Sequence, residues 1–197
     1  LLPLLNSSLA NPPSPIVSSG LRNQGNTCYL NAVLQSIFHI PAFRSAVSSA
    51  VTSNVGGDPS ITSGLNEVLS SMACSSSPTS TRSLTVPLGL NPLEQQDSQE
   101  FFKLLLPLLP DSARSLFEGS TVGWVEAVEK GGERREREER MFDVSLPIDD
   151  DGDALEDTLL RTYGPKSSHD ELLVSEGNGW RPPSGGDKVD AIKGESL

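Results

Sequence analysis

Two thiols and two imidazoles are the sparse nucleophile and base candidates of this 197-residue chain. Cys28 is the distinctive one. It lies between a glycine-containing turn, Asn23-Gln24-Gly25-Asn26-Thr27, and an apolar stripe of helical spacing at Leu30, Val33, Leu34, Ile37 and Phe38. A helix start offers unpaired backbone N–H groups and the positive end of the macrodipole, which favour an anion there. The thiolate is the nucleophilic form of cysteine, so this placement suits nucleophilic catalysis. Gly25 lets the backbone pass close beneath a substrate. The side-chain amide of Asn23 could donate to a developing oxyanion together with N–H groups near Cys28. A buried structural cysteine at a capped helix start is the plain alternative for a thiol taken alone.

The elements that must hold these residues follow from periodicity. Asn26 or Thr27 can cap the first helix, and Pro41 biases Ile40 out of helix and ends it. A second stripe runs through Leu65, Val68, Leu69 and Met72, and a Ser/Thr-rich loop is expected over residues 74–83, with Cys74 incidental in it. Asp97 and Glu100 form a capping-box-like start for a third helix carrying Phe101, Leu104, Leu105 and Leu108. Pro107 predicts a stop or kink near Leu106. Beyond Leu116 the period changes. Phe142, Val144, Leu146 and Ile148 alternate with polar residues as in a strand, and residues 121–128 are a weaker strand candidate. The charged run 129–140 reads as a solvated hairpin or loop. Asp153 and Glu156 open a short helix through Leu155 and Leu159, and residues 164–197 read as loop. Residues 1–19, rich in Leu, Pro, Ser and Asn, read as a disordered tail.

Composition narrows the function classes. The net charge is −11, with aromatics at 5% and hydrophobic residues at 36%. An acidic chain repels phosphate backbones and anionic lipid, so neither nucleic acid nor a membrane surface is expected as a partner. No apolar run approaches the ~20 residues that span a bilayer. Two cysteines make neither a disulfide framework nor a four-thiolate zinc site. With no secretion signal, a reduced cytoplasmic or nuclear compartment is expected.

Residues 20–44 strongly resemble the cysteine box of the ubiquitin-specific proteases, a family of thiol-dependent deubiquitinases. The residues that match are Gly20, Leu21, Asn23, Gly25, Asn26, Thr27, Cys28, Tyr29, Leu30, Asn31, Leu34 and Gln35, then Pro41, Phe43 and Arg44. A second family block follows at Gln95, Gln96, Asp97, Ser98, Gln99, Glu100 and Phe101. Residues 116–119, 142–148, 155–163, 176–178 and 189–194 are similar to later family elements more loosely. The resemblance implies an α+β, papain-like hand of thumb, palm and fingers, incomplete here. Residues 20–110 would be the helical thumb-like half and residues 111–197 a partial fingers and palm region. It implies that Cys28 is the nucleophile that attacks the carbonyl of ubiquitin's terminal glycine and that Asn23 stabilises the oxyanion. Gln95 and Asp97 would flank the channel for ubiquitin's extended tail, and ubiquitin and ubiquitinated proteins would be the partners. An acidic chain suits a basic tail. For Asp97 helix capping is the simpler role, and it can serve both.

The resemblance also marks what is missing. A thiol protease needs a base, usually His. His39 follows Cys28 by eleven residues on one helix, about 16 Å along the axis, too far to reach the thiol. His169, in Ser167-Ser168-His169-Asp170, lacks the flanking residues of a His box. The chain is therefore expected to be a piece lacking the His box and inactive alone. The family's zinc-binding Cys-x-x-Cys pairs are absent, so no metal and no cofactor is expected. The competing expectations are a ubiquitin-binding pseudoenzyme and a scaffold that no longer binds ubiquitin.

Overall fold

The computed structural model describes residues 18–129, 132–147, 154–164, 171–173 and 178–196. The fold is α+β: helices come first and a four-stranded antiparallel sheet follows. The chain divides into two compact units after Leu116. Among the described residues no helix is long and apolar enough to cross a membrane.

The first unit is built on three long helices. Helix α1 spans Cys28–Phe38 and buries Tyr29, Leu30, Leu34, Ile37 and Phe38, the expected stripe with Val33 at its half-buried margin. Ile40 is extended, as a residue before proline should be, and α1 ends at Phe38. Pro41 then opens a helix that the sequence reading did not anticipate, α2 at Pro41–Ser53, with the proline at its first position. Its stripe is thin (Phe43, Val47, Ala50) and the rest is largely Ser, Thr and Ala. Arg44 joins the two helices: its guanidinium donates to the Phe38 carbonyl and lies 4.9 Å from the Phe38 ring centre.

Helix α3, Pro59–Cys74, buries Ile61, Leu65, Val68, Leu69 and Met72. Asp58 caps it by accepting from the Ser60 and Ile61 amides at 2.9 and 3.2 Å. Cys74 is the exposed last residue of α3 rather than a loop residue. The Ser/Thr stretch beyond it is loop only as far as Thr81, because α4 occupies Arg82–Thr85. Helix α4 packs against α3 at Gly64, where the backbones approach too closely for any side chain. Helix α5, Ser98–Leu105, gives way to a 3₁₀ turn at Leu106–Leu108, the change expected from Pro107. Phe101 and Leu105 are buried, but Leu104, expected on the same stripe, is 67% exposed. Short α6, Asp111–Arg114, closes the unit on α2.

The second unit is a sheet of order β2-β1-β4-β3. Strand β1, Gly119–Ala127, pairs with β2, Arg134–Met141, on one side and β4, Ala191–Ser196, on the other; β3 is Glu171–Leu173. Strand β2 is the charged run itself, and residues 142–147 are not strand. The β1–β2 ladder begins at Gly119, which pairs with Met141, so beyond Met141 the alternating residues have no partner strand. A strand of Arg and Glu is stable here because it lies at an edge with both faces wet. Arg134 reaches Glu126 at 3.0 Å and Glu136 at 2.8 Å, with its guanidinium 4.7 Å from the Trp124 ring centre. The expected loop over residues 164–197 contains β3 and β4, whose apolar signal is diluted by Lys193, Gly194 and Glu195. Helix α7, Leu155–Tyr163, forms where expected. Ile148, Asp153 and residues 1–17 of the expected tail lie outside the described residues; Ser19 is anchored, its amide donating to Met72 at 2.9 Å.

Candidate functional site

Cys28 is the first residue of α1, and its side chain is exposed. The turn before it is organised by one atom. Asn23 Oδ1 accepts from the Gly25 amide at 3.1 Å, the Thr27 amide at 3.2 Å and the Thr27 hydroxyl at 3.0 Å. Three donors converging on one oxygen fix the orientation of the amide, so the Asn23 Nδ2 group remains a donor on the other branch. Thr27 sits at the N-cap but gives no side-chain bond to the helix amides. Its hydroxyl is turned inward instead, donating to Asn23 and accepting from the Gln24 amide at 3.1 Å. The backbone donors of the first turn at Cys28 are therefore left uncapped by Thr27.

The turn is clamped from two sides. On one, Gln24 Nε2 bonds the hydroxyls of Thr81 and Thr85. Nearby, the Arg22 amide donates to the Thr79 carbonyl and the Thr79 amide to the Gly20 carbonyl, both at 2.8 Å. On the other side, Asn26 donates through its amide to the Pro92 carbonyl and through Nδ2 to the Leu93 carbonyl, each at 2.7 Å. Gly25 makes that approach possible: its φ is +144°, and a Cβ there would stand 2.7 Å from the Pro92 oxygen.

The same contacts place the second sequence block. Residues 94–100 are held at their start by Asn26, through Pro92 and Leu93, and at their end by Tyr29, which meets Phe101 edge to face at 5.5 Å. Asn26 and Tyr29 bracket Cys28, so Gln95 and Asp97 ride on a segment anchored on both sides of the thiol. Gln95 is exposed. Asp97 is the N-cap of α5, its Oδ1 accepting from the Gln99 amide at 2.7 Å and the Glu100 amide at 3.0 Å. Tyr29 is buried, and its phenol is pushed above its ordinary value by burial first, then by the negative charges of Glu94 and Cys28.

Cys74 lines a separate hollow of about 440 Å³ with Glu67, Ser71 and Thr79. His39 is the C-cap of α1, edge-on to Phe38 at 5.3 Å, at the opposite end of the helix from Cys28. His169 lies outside the described residues. Among the described residues no three His, Cys, Asp or Glu side chains gather as a metal ion would need. Gln24 and Asn26 lie in the turn that the sequence marks, but their partners Thr81, Thr85 and Pro92 are not singled out from it as part of the site. Their contacts span 57 to 67 residues, and local spacing carries no signal of them.

In the second unit a cleft of about 770 Å³ lies over the sheet, lined by Thr121, Glu139, Tyr163, Glu171, Lys193 and Glu195. Tyr163 donates to the Ser145 carbonyl at 3.3 Å, and burial, then Glu195, raises its phenol.

Known proteins share this arrangement of sequence. The chain is similar to ubiquitin C-terminal hydrolase 13 of Arabidopsis thaliana, 29% identical over 188 residues, or 89% of this chain and 16% of that protein. It is similar to ubiquitin carboxyl-terminal hydrolase 15 of Schizosaccharomyces pombe, 30% identical over 81% of this chain and 15% of the relative. Ubiquitin carboxyl-terminal hydrolase 5 of the same yeast is 33% identical over 66% of this chain and 13% of its own length. The chain thus spans about a sixth or less of the length of these relatives. A family model described as ubiquitin carboxyl-terminal hydrolase matches residues 19–150, a stretch that takes in the cysteine turn, the 94–100 segment and the β1–β2 hairpin, and the chain belongs to that family.

Proposed function

We propose that this chain carries the nucleophile half of a thiol-dependent deubiquitinase, which cleaves the bond after the C-terminal glycine of ubiquitin. The observation that carries the reading is Asn23: its oxygen is committed to three donors in the turn that leads into Cys28, which leaves its NH₂ as the group able to donate. In the reaction the Cys28 sulfur attacks the glycine carbonyl carbon, and the carbonyl electrons move onto oxygen. Asn23 Nδ2 and the uncapped N–H groups at the start of α1 donate to that oxyanion. Collapse breaks the carbon–nitrogen bond, the amine leaves with a proton, and water then releases the thioester. Gln95 and Asp97 border the channel for the extended tail. Asp97 does so while capping α5, with its second carboxylate oxygen left for a basic tail residue.

The base that takes the thiol proton is expected from a His box, since His39 sits about 16 Å along the axis from Cys28. Without that box the chain alone is expected to be inactive. By the same reading residues 20–110 are the thumb-like half of a papain-like hand and residues 111–197 a partial fingers and palm region. Ubiquitin and ubiquitinated proteins are the partners, in cytoplasm or nucleus. The second reading, a non-catalytic ubiquitin binder, draws on the lack of a histidine beside Cys28 among the described residues.

Labelling with a ubiquitin C-terminal electrophile separates the two readings. Three proteins are compared: this chain, Cys28→Ser, and a form extended by a family His box. Labelling at Cys28 over Cys74, strongest in the extended form, supports the hydrolase. If the extended form reacts no faster than Cys28→Ser, the nucleophile assignment fails and the binder reading replaces it.

A further inference from the structure

The cleft over the sheet of the second unit, about 770 Å³, has the size of a ligand site. Thr121 and Gly123, which share one face of β1, line it. Glycine inside a strand costs order and packs nothing, and it often marks a place where something approaches closely. Gly123 has no backbone reason to be glycine. Its φ is not left-handed, and a Cβ built on it would meet only the Arg137 carbonyl oxygen, at an ordinary 3.8 Å. Thr121 is 5% exposed and lines the cleft, yet its hydroxyl has no hydrogen-bond partner among the described residues. A polar group so buried and unpartnered calls for an explanation. The charges around the cleft single out one carboxylate. Glu139, opposite Thr121 in the ladder, is held by Arg137 at 3.2 Å. Glu171 accepts from Asn178 at 3.3 Å and stands opposite Lys193. Glu195 stands directly opposite Gly123, beside the open space, and has neither an ion pair nor a hydrogen bond among the described residues. Tyr163 lines the same cleft, its ring fixed by the bond from its hydroxyl to the Ser145 carbonyl.

We propose that this cleft is a docking site for an arginine side chain of a partner protein: the guanidinium lies over Gly123 and donates to the Glu195 carboxylate and the Thr121 hydroxyl oxygen. The space left by the missing side chain at position 123 admits a flat group down to the strand. Glu195 then gains the cation it lacks, and Thr121 the partner it lacks. Leu146, Pro147 and the Tyr163 ring supply apolar lining for the arginine stem. Arginine suits the site better than lysine, because a guanidinium is planar, offers several donors to one carboxylate and stacks on aromatic rings. The site lies wholly in the second unit and does not depend on the role proposed for Cys28.

Titration of the full chain with acetyl-Ala-Arg-Ala-amide, followed by ¹⁵N–¹H NMR, tests this. Saturable shifts are expected at Thr121, Gly123 and Glu195, and none with the citrulline counterpart, which keeps the arginine shape without its charge. Glu195→Gln is expected to weaken binding about tenfold or more, the scale of a hydrogen bond to a charged group. Gly123→Val fills the space above the strand and is expected to abolish the shifts, while its Tm stays level or rises because valine suits a strand better than glycine. Equal binding of the citrulline peptide, or undiminished binding to Gly123→Val, overturns the proposal. So does an absence of shifts at these three residues with millimolar peptide. Shifts confined to the glutamates of β2 also overturn it, since they mark attraction to the charged edge strand rather than docking in the cleft.

Discussion

Gly25→Ala tests how the cysteine turn is held. At φ +144° an L side chain is strained, which by itself costs about 1–3 kcal/mol. The new Cβ would also stand 2.7 Å from the Pro92 carbonyl oxygen and 3.3 Å from Leu93 Cδ2. The Pro92 oxygen cannot simply withdraw, because it accepts from the Asn26 amide at 2.7 Å. Pulling it back loses that bond, a further ~1 kcal/mol. The sum is roughly 2–4 kcal/mol, set against a typical domain stability of about 5–15 kcal/mol, so the variant still folds but with a loosened turn. Urea denaturation followed by circular dichroism should show a lower midpoint at unchanged slope. Amide exchange should accelerate at Gly25, Asn26 and Thr27 beyond the global change, because those donors serve the same turn. A variant within about 0.5 kcal/mol of wild type, the range of an ordinary surface change, with unchanged exchange would refute the close approach of turn and Pro92.

Gly64→Ala should be at least as costly, about 3 kcal/mol or more, because its Cβ would lie 2.1 Å from the Ser83 carbonyl oxygen between α3 and α4; an unchanged urea midpoint would contradict that packing. Arg134→Ala should cost only about 1 kcal/mol, since its partners Glu126 and Glu136 are half exposed and its contact with Trp124 is the main loss. A loss above ~2 kcal/mol would mean that the hairpin depends on this residue far more than exposed pairs allow. Asp58 is held below the usual carboxylate range by the Ser60 hydroxyl first and then the Ile61 amide. Its capping contribution is therefore full above the unfolded value and lost as pH falls through the lowered folded value. Wild type and Asp58→Ala should differ by a constant amount near neutrality and converge in acid; a gap that widens in acid refutes the sign.

The legible parts of this fold were those specified within one turn of chain. Leu30, Leu34, Ile37 and Phe38 announce α1, Leu65 to Met72 mark α3, and Asp97 with Pro107 brackets α5, because spacing, cap and breaker act over a few residues. Helix α2 escaped because Pro41 is a stop for one helix and a start for the next, and only Phe43, Val47 and Ala50 face the core. In the second unit the strand expected at residues 142–148 fails where its partner ends, and β2 forms from residues chosen for water rather than for a core. Cys28 and Asn23 stand out as candidates by residue type and position, and the structure puts them at the two ends of one turn. Their clamps do not stand out, since Gln24 to Thr81 and Asn26 to Leu93 are contacts that only the folded chain creates.

The β1–β4 pairing has a consequence for synthesis on the ribosome. Strand β1 meets β2 across a short connection, but Ala127 waits for Ala191 and Val122 for Ser196, separations of 64 and 74 residues. At about 5–20 residues per second, that interval is roughly 3–15 s in which one side of β1 has emerged without its mate. Strand β2 guards the other side with a row of arginines and glutamates, and among the described residues nothing comparable guards this one before β4 pairs. During those seconds the backbone beside Val122, Trp124 and Val125 is a template for any extended segment nearby. Nascent chains stalled inside this window should therefore be the ones that engage chaperones or cross-pair on crowded polysomes, and release of the β4 segment should end that vulnerability.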